Sequence, residues 1–316
     1  MSKVYLSSSE YPGVDSAVAI GAFDGFHLGH QRIVKELLAM SRKGSLDTVV
    51  YTFRRNPKLT TQKLGGLLSS NSERVELASQ LGVDSIVLED FSTRFQNLTP
   101  DYFVQGVLID RLNARMVVVG EDFRFGRART GDVELMARLL HNAGRRLVTV
   151  KPVLVDGKVC SSSVIRKAIL AGDVEGAAKY LGRSYSLQGV VVAGNHVGGK
   201  LGFPTANVDV SDPMKLLPGN GVYVVRALIE GTVVGGVCNI GVRPTIVSGS
   251  RRTVEVHLLD FHRQVYGRLV TVQFVARLRD EQLFPSPGDL SRQISHDVAQ
   301  ARMVLGQCDA VRKKIS

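Results

Sequence analysis

Short apolar runs alternate with amphipathic stretches through the first half of the chain. Ala17-Val18-Ala19-Ile20 is continuously apolar and predicts a buried strand, whereas from Leu28 to Arg42 the apolar positions Ile33, Val34, Leu37 and Leu38 recur at helical spacing. A second strand is expected over Thr48 to Phe53. Ser70-Asn71-Ser72-Glu73 has the form of a capping box and opens a helix that ends near Gly82. Asp84 to Leu88 reads again as strand. Thr99-Pro100, an N-cap followed by proline at the first helical position, leads a helix to about Leu112. Met116 to Val119 predicts a fourth buried strand, Gly131 to Ala143 a helix, and Arg146 to Val155 a fifth strand. This alternation implies crossover connections and an α/β domain whose parallel sheet is covered on both faces. Such sheets bind ligands beyond the carboxyl ends of their strands.

The pattern changes near Gly182-Arg183-Ser184. Strand-like runs follow with turn punctuation and no long helix between them: Leu187 to Ala193, Gly221 to Ile229, a Glu230-Gly231 turn, Val233 to Asn239, Thr253 to Leu259 and Arg268 to Arg279. A closing amphipathic helix carries Leu290, Ile294, Val298, Ala301 and Val304 on one side. Many strands and one terminal helix predict an antiparallel β-barrel capped by that helix. The expected domains are residues 1–183 and 184–316.

A length of 316 residues agrees with two domains rather than one. The excess of 40 Lys+Arg over 29 Asp+Glu, a formal charge of +11, favours polyanionic partners such as nucleotide phosphates, nucleic acid or acidic membranes. No apolar run approaches the roughly 18–20 residues of a membrane-spanning helix, and the first residues lack the apolar core of a signal peptide. Cys160, Cys238 and Cys308 are odd in number and far apart, which excludes a disulfide framework and a CxxC metal pair. They are expected to be small buried apolar groups in a soluble protein of the reducing cytoplasm.

Gly21-Ala22-Phe23-Asp24-Gly25-Phe26-His27-Leu28-Gly29-His30 lies where the first strand turns into the first helix. That is an anion-binding corner, with free backbone N–H groups and the positive end of a helix dipole. His27 and His30, three apart at the helix start, share a face and can both donate to phosphoryl oxygens. A lone H-x-x-H reads as two surface histidines. Here the strand, the glycines and the helix all favour charge stabilisation on a transferring phosphoryl group.

Gly194-Asn195-His196-Val197-Gly198-Gly199-Lys200-Leu201-Gly202-Phe203-Pro204-Thr205-Ala206-Asn207 is a second Gly-rich segment, suited to wrap a phosphate chain while Thr205 ligates Mg²⁺. In Thr253-Val254-Glu255-Val256-His257-Leu258-Leu259, alternation puts Val254, Val256 and Leu258 on one face and Glu255, His257 and Leu259 on the other. A carboxylate such as Glu255, facing a pocket, can take the proton from a hydroxyl during phosphoryl transfer. Facing solvent, it is an ordinary strand glutamate.

GAFDGFHLGH resembles the signature of the bacterial bifunctional riboflavin kinase/FAD synthetases, within the HxGH nucleotidylyltransferase superfamily. Gly120-Glu121-Asp122-Phe123-Arg124-Phe125-Gly126 and Ser161-Ser162-Ser163-Val164-Ile165-Arg166 are similar to further segments of that family. So, in the second half, are Gly202-Phe203-Pro204-Thr205-Ala206-Asn207, Asn239-Ile240-Gly241-Val242-Arg243-Pro244-Thr245 and Arg277-Leu278-Arg279-Asp280-Glu281. Asn56 stands where the family commonly has histidine, and Gly199 where it often has arginine.

The resemblance covers about residues 15 to 305 and implies a Rossmann-like adenylyltransferase domain followed by a kinase barrel. It implies that Glu255 is the kinase base and that His27 and His30 serve adenylyl transfer. ATP and its phosphates would be held by Gly21, Phe23, Asp24, Gly25, Gly29, Asp122, Ser161, Ser162 and Arg166 in the first half, and by Gly194, Lys200, Gly202 and Pro204 in the second. Phe53, Asn56, Phe123, Arg124, Phe125 and Arg277 would contact flavin, and Thr205 and Asn207 the Mg²⁺ that accompanies ATP. Riboflavin and ATP are then the substrates, FMN the intermediate and FAD the product, with pyrophosphate released. The copy number of the assembly stays open. Two rivals are a transferase acting on a different phosphate acceptor, which would have no need of a GFPTAN barrel, and a nucleic-acid-binding regulator. The second would carry a clustered basic stripe, whereas the cations here are spread through both halves.

Overall fold

The structure is a computed structural model that describes residues 2–41, 45–54, 65–193, 202–243 and 251–315. The chain divides into two compact units, residues 1–162 and 163–316.

In the first unit β1 (Lys3–Tyr5), β2 (Ser16–Ile20), β3 (Asp47–Phe53), β4 (Ser85–Glu89), β5 (Ala114–Gly120) and β6 (Arg146–Val150) form one parallel sheet of order β1-β4-β3-β2-β5-β6. The continuous apolar run of β2 is explained by burial on both faces. Val18 and Ile20 enter one core with Val117, Val119 and Met136, while Ala17 and Ala19 enter the other with Val34, Leu37 and Val118. Helix α1 (Leu28–Ser41) supplies Val34 and Leu37, α2 (Asn71–Gln80) starts at the expected box of Ser70 and Glu73, and α3 (Val133–Asn142) supplies Met136.

Several elements differ from the sequence reading. β1 was not expected; its three residues carry too little periodicity to register, and pairing with β4 makes it a strand. The helix after Pro100 widens into π-type turns over Phe103–Ile109, with Asp110 N–H donating to the Gln105 carbonyl at 2.9 Å. The fifth strand stops at Val150, just before Pro152, which has no N–H for a ladder. Beyond it β7 (Leu154–Val155) and β8 (Lys158–Val159) make a hairpin across Asp156 and Gly157, both at positive φ as a tight primed turn requires.

In the second unit β9 (Ser186–Val192), β10 (Ala206–Val210), β11 (Gly221–Ile229), β12 (Thr232–Arg243), β13 (Arg251–Leu258) and β14 (Leu269–Arg279) close into a barrel of order β10-β13-β12-β11-β14-β9, antiparallel throughout. Closure removes the sheet edges. β10 was missed because only Val208 of its five residues is buried. The inner face holds Leu187, Tyr223, Val225, Cys238, Val256, Val272 and Phe274, all nearly inaccessible. The terminal helix, here α6 (Pro287–Ile315), covers part of the outer face, with Ala301 and Leu305 against Val222, Val224, Val237, Leu259 and Ala276. Arg279 on β14 clasps Asp297 of α6 through bonds of 2.8 to 3.1 Å.

Two helices, α4 (Ser162–Leu170) and α5 (Val174–Leu181), precede the barrel. Gly219 N–H donates to the Ile169 carbonyl at 2.9 Å, and a Cβ on Gly172 would meet Arg277 Nε and Tyr223 Oη at 2.8 Å. Residues 163–182 therefore pack with the barrel.

Candidate active sites

β2 has β3 on one side and β5 on the other, and the chain leaves β2 for β3. The ends of β2 and β5 thus flank the point where strand order reverses, the usual place for a ligand crevice. Gly21, Phe53 and Gly120 stand at this carboxyl edge, so the segments 21–30 and 120–126 begin beside the flavin candidate Phe53.

After β2 the backbone turns sharply, with Phe23, Gly25 and Phe26 all at positive φ. Two non-glycine residues in that region are strained. Their rings compensate by burial, stacking at 5.2 Å between centroids. Gly21 and Gly29 make room for rings rather than for ligand at their Cβ positions. A Cβ on Gly21 would sit 3.2 Å from the Phe23 ring, and one on Gly29 3.1 Å from the His27 ring. His27 and His30 lie together as expected, with ring centroids 3.7 Å apart and planes 20° from parallel. His30 N–H reaches His27 Nδ1 at 3.4 Å, with Nδ1 as the acceptor. His27 is buried and His30 half-buried.

Asp24, 1% exposed, turns inward. Its Oδ1 accepts the Ser69 amide at 3.0 Å, and Ser69 Oγ accepts the Gly25 N–H at 2.8 Å. Arg74, equally buried, donates to the Ala22 carbonyl at 3.3 Å, to Thr52 Oγ1 at 3.2 Å and to the Phe53 carbonyl at 2.7 Å. The start of α2 therefore clamps the histidine turn to the end of β3. Sequence reading missed Ser69 and Arg74; the only signal was the capping box beside them.

The serine run closes on the same corner. Ser162 Oγ donates to the Asp24 carbonyl at 3.1 Å, and Ser161 is half-buried. Burial pushes the Cys160 thiol up, against the pull of the Gly29 and Leu28 backbone N–H groups. Arg166 follows Ser162 by one turn of α4 and is 5% exposed.

Phe53, Phe123 and Phe125 join one chain of rings. Phe53 meets Phe95 at 5.3 Å, Phe95 meets Phe103 at 6.0 Å, Phe103 meets Phe125 at 5.5 Å, and Phe125 stacks on Phe123 at 5.8 Å. Phe125 is core, while Phe53 and Phe123 keep partial exposure. Phe91, 5.1 Å from Phe53, and Phe95 extend this wall and were not singled out from sequence. Asp122 and Arg124 are exposed, and Arg124 pairs with Asp132 at 3.0 Å.

On the barrel, Glu255 stands directly opposite Asn207 of β10 and, on its other side, opposite Asn239 of β12. Directly opposed residues share a face, so a half-buried carboxylate sits between two amide side chains. Val254 and Val256 point inward, as alternation predicted, while Leu259 joins the outer cluster under α6. The Glu255 charge adds to burial in pushing the Cys238 thiol up. Asn239 belonged to a noted segment but was not chosen; only register reveals it. Thr205 is half-buried, Gly202 and Pro204 exposed. His257 Nδ1–H donates to the Pro204 carbonyl at 2.8 Å. Arg277 is engaged by the Asn220 carbonyl and by Asp280, each at 2.7 Å. Asn56, Gly194 and Lys200 lie outside the described residues.

Two stacked histidines beside a helix-start hydroxyl on one architecture, and a carboxylate opposed by two asparagines on another, are arrangements able to stabilise charge and to move a proton in phosphoryl-group chemistry. Comparison with known proteins makes this specific. Residues 12–164 match the family of FAD synthetase and residues 181–305 that of riboflavin kinase. The chain is 35% identical over 301 residues to the bifunctional riboflavin kinase/FMN adenylyltransferase of Escherichia coli strain K12, covering 94% of this chain and 95% of that protein. It is 36% identical over 284 residues to the protein of the same description from Pseudomonas fluorescens, covering 90% and 91%. A solved structure from Streptococcus pneumoniae, described as a macrolide-efflux protein, superposes with a TM-score of 0.87 at 32% identity, covering 95% of this chain and 98% of that one. Among the described residues no helix is long and apolar enough to cross a membrane.

The chain belongs to the bifunctional riboflavin kinase/FMN adenylyltransferase family. Its activities are phosphorylation of riboflavin to FMN and adenylylation of FMN to FAD, with flavins and ATP as substrates.

Proposed function

We propose that the two activities are divided between the two architectures, with adenylyl transfer in residues 1–183 and phosphoryl transfer in residues 184–316. The observation that carries this division is the pairing of His27 with His30 at the carboxyl edge of β2, on a fold distinct from the one that bears Glu255. The spans of the two family matches support it.

In the kinase half, Glu255 takes the proton from the terminal ribityl hydroxyl of riboflavin as that hydroxyl's oxygen attacks the γ-phosphorus of ATP, the bond to the β,γ-bridging oxygen breaks and ADP leaves. Thr205 and Asn207 offer hydroxyl and amide oxygens, hard ligands that suit a hard cation. Thr205 and Asn207 would hold Mg²⁺, which when bound offsets charge on the phosphates. Gly202 and Pro204 flank the phosphate chain; the family resemblance assigns the same phosphates to Gly194 and Lys200, which lie outside the described residues.

In the transferase half, the FMN phosphate attacks the α-phosphorus of a second ATP and pyrophosphate leaves. His27 and His30 stabilise the charge that builds on the transferring group. Ser161, Ser162 and Arg166 hold the departing pyrophosphate, with hydroxyls at a helix start beside a fork-shaped cation. The partly exposed rings of Phe53 and Phe123 offer a flat apolar wall to the isoalloxazine.

Separation of function tests this. Incubated with riboflavin, ATP and Mg²⁺ and resolved by chromatography, Glu255→Gln is expected to lose riboflavin phosphorylation by about 10²-fold or more while still converting supplied FMN to FAD. His30→Ala is expected to accumulate FMN and lose FAD formation by a similar factor. Variants that keep or lose both reactions together overturn the assignment.

A further inference from the structure

His257 follows Glu255 by two residues on β13 and therefore projects from the same side of the barrel wall. The register between β10 and β13 runs from Asn207 opposite Glu255 to Ala206 opposite Val256, so the next step would set Thr205 opposite His257. The backbone ladder cannot be carried further back along this segment, because Pro204 has no N–H to donate. A side chain does the work instead. A carbonyl oxygen only accepts, so the 2.8 Å contact between His257 and Pro204 is a bond donated by Nδ1–H to the Pro204 carbonyl. The Phe203 ring stands edge-on to the same imidazole, with centroids 5.6 Å apart and planes at 80°. His257 thus grips both residues that precede Thr205.

The Pro204 carbonyl and the Thr205 nitrogen belong to one planar peptide. Fixing that oxygen fixes the plane from which the Thr205 Cα departs, and with it the direction of the Thr205 hydroxyl relative to Asn207 and Glu255.

We infer that His257 is a positioning residue of the phosphoryl-transfer site, orienting Thr205 through the Pro204–Thr205 peptide without touching substrate. This rests on the assignment of Glu255, Thr205 and Asn207 to riboflavin phosphorylation. Misdirecting a positioned group lowers turnover by one to two orders of magnitude even when the reacting groups remain. The Thr205 side of the site belongs to ATP, so the effect falls on kcat and on the KM for ATP, and spares the KM for riboflavin.

The test uses the full chain, measuring riboflavin phosphorylation with ATP and Mg²⁺ for wild type, His257→Ala, His257→Asn and Glu255→Gln. His257→Ala is expected to lower kcat about tenfold or more and to raise the KM for ATP, with FMN adenylylation by the same preparation unchanged. The amide N–H of His257→Asn is expected to restore most of the loss, which a mere packing role would not. The inference is overturned if His257→Ala turns over at the wild-type rate, if Asn is no better than Ala, or if the loss tracks the unfolded fraction measured by urea titration. Should His257→Ala fail to fold, the kcat and KM for ATP of His257→Asn and of His257→Gln decide the question: a wild-type kcat in a variant whose amide cannot reach Pro204 overturns it. Glu255→Gln separates the two levels. If Glu255→Gln keeps kinase activity, the site assignment itself fails; if it is inactive while His257→Ala is not, only the role of His257 fails.

Discussion

The imidazoles of His27 and His30 stack 3.7 Å apart because Gly29 lies between them in sequence and leaves the space that the His27 ring fills. A Cβ at position 29 would stand 3.1 Å from His27 Nδ1. Gly29 is inside α1, where alanine is the better helix former by about 1 kcal/mol. Gly29→Ala is therefore expected to leave stability unchanged or slightly raised, yet to lower FMN adenylylation by about tenfold or more as the His27 ring is displaced. Steady-state rates for both reactions, beside a urea titration, check this; equal rates with wild type would show that the ring tolerates the methyl group.

Arg74 presents a second expectation. Its guanidinium is 1% exposed and joins the Ala22 carbonyl, the Phe53 carbonyl and Thr52 Oγ1. Replacing it by methionine keeps the volume but removes the donor at 2.7 Å from the Phe53 carbonyl and leaves the Ala22 carbonyl with the Thr52 hydroxyl alone. The expected loss is about 3 kcal/mol of stability in the first unit. Arg74→Lys can satisfy one acceptor but not the fork, and should fall between. Urea unfolding followed by a probe in residues 1–162 measures it.

The pH dependence of the same unit follows from two phenols. Burial, reinforced by the Glu89 charge, pushes Tyr51 well above the ordinary tyrosine range, and burial with the bond to Asp47 pushes Tyr11 up likewise. Both folded values exceed the unfolded value of about 10, so the folded state holds protons that the unfolded state releases. Their contribution is fully present below pH ~10 and is lost as pH rises beyond it, by at most about 1.4 kcal/mol per pH unit for each phenol. Urea midpoints at neutral and strongly alkaline pH should show this decline, and Tyr51→Phe should flatten it. An unaltered decline would mean that Tyr51 ionises in place.

On the barrel, Asp297 of α6 is 2% exposed and bound by both Nε and Nη2 of Arg279. Asp297→Ala leaves Arg279 without this partner and should cost about 2–3 kcal/mol of barrel stability. The thiol of Cys238, inaccessible and pushed up by burial and by Glu255, reports the event. Its alkylation should be slow in the wild type and accelerate in Asp297→Ala in proportion to the opened fraction. Unchanged labelling would place the clasp outside the cooperative unit.

Much of the architecture was legible in the sequence because its signals are local. The run Ala17 to Ile20, the helical spacing of Val34 and Leu37, and the Ser70–Glu73 box each act within a few residues, and each formed the element expected of it. The glycines were legible as special positions, but that the Cβ space of Gly21 and Gly29 is taken by the Phe23 and His27 rings was not.

Residue type, order and periodicity thus determined a parallel α/β half, an antiparallel barrel half, and the two Gly-rich segments to which the chemistry is assigned by proposal. Tertiary structure alone decided that Asn239 stands beside Glu255, that Asp24 turns inward to Ser69, that Arg74 pins Ala22 to Phe53, and that His257 holds Pro204. Those partners are between 16 and 53 residues apart in the chain. Strand register and close packing are relations between distant segments, settled only when the whole core is assembled, and no local pattern encodes them.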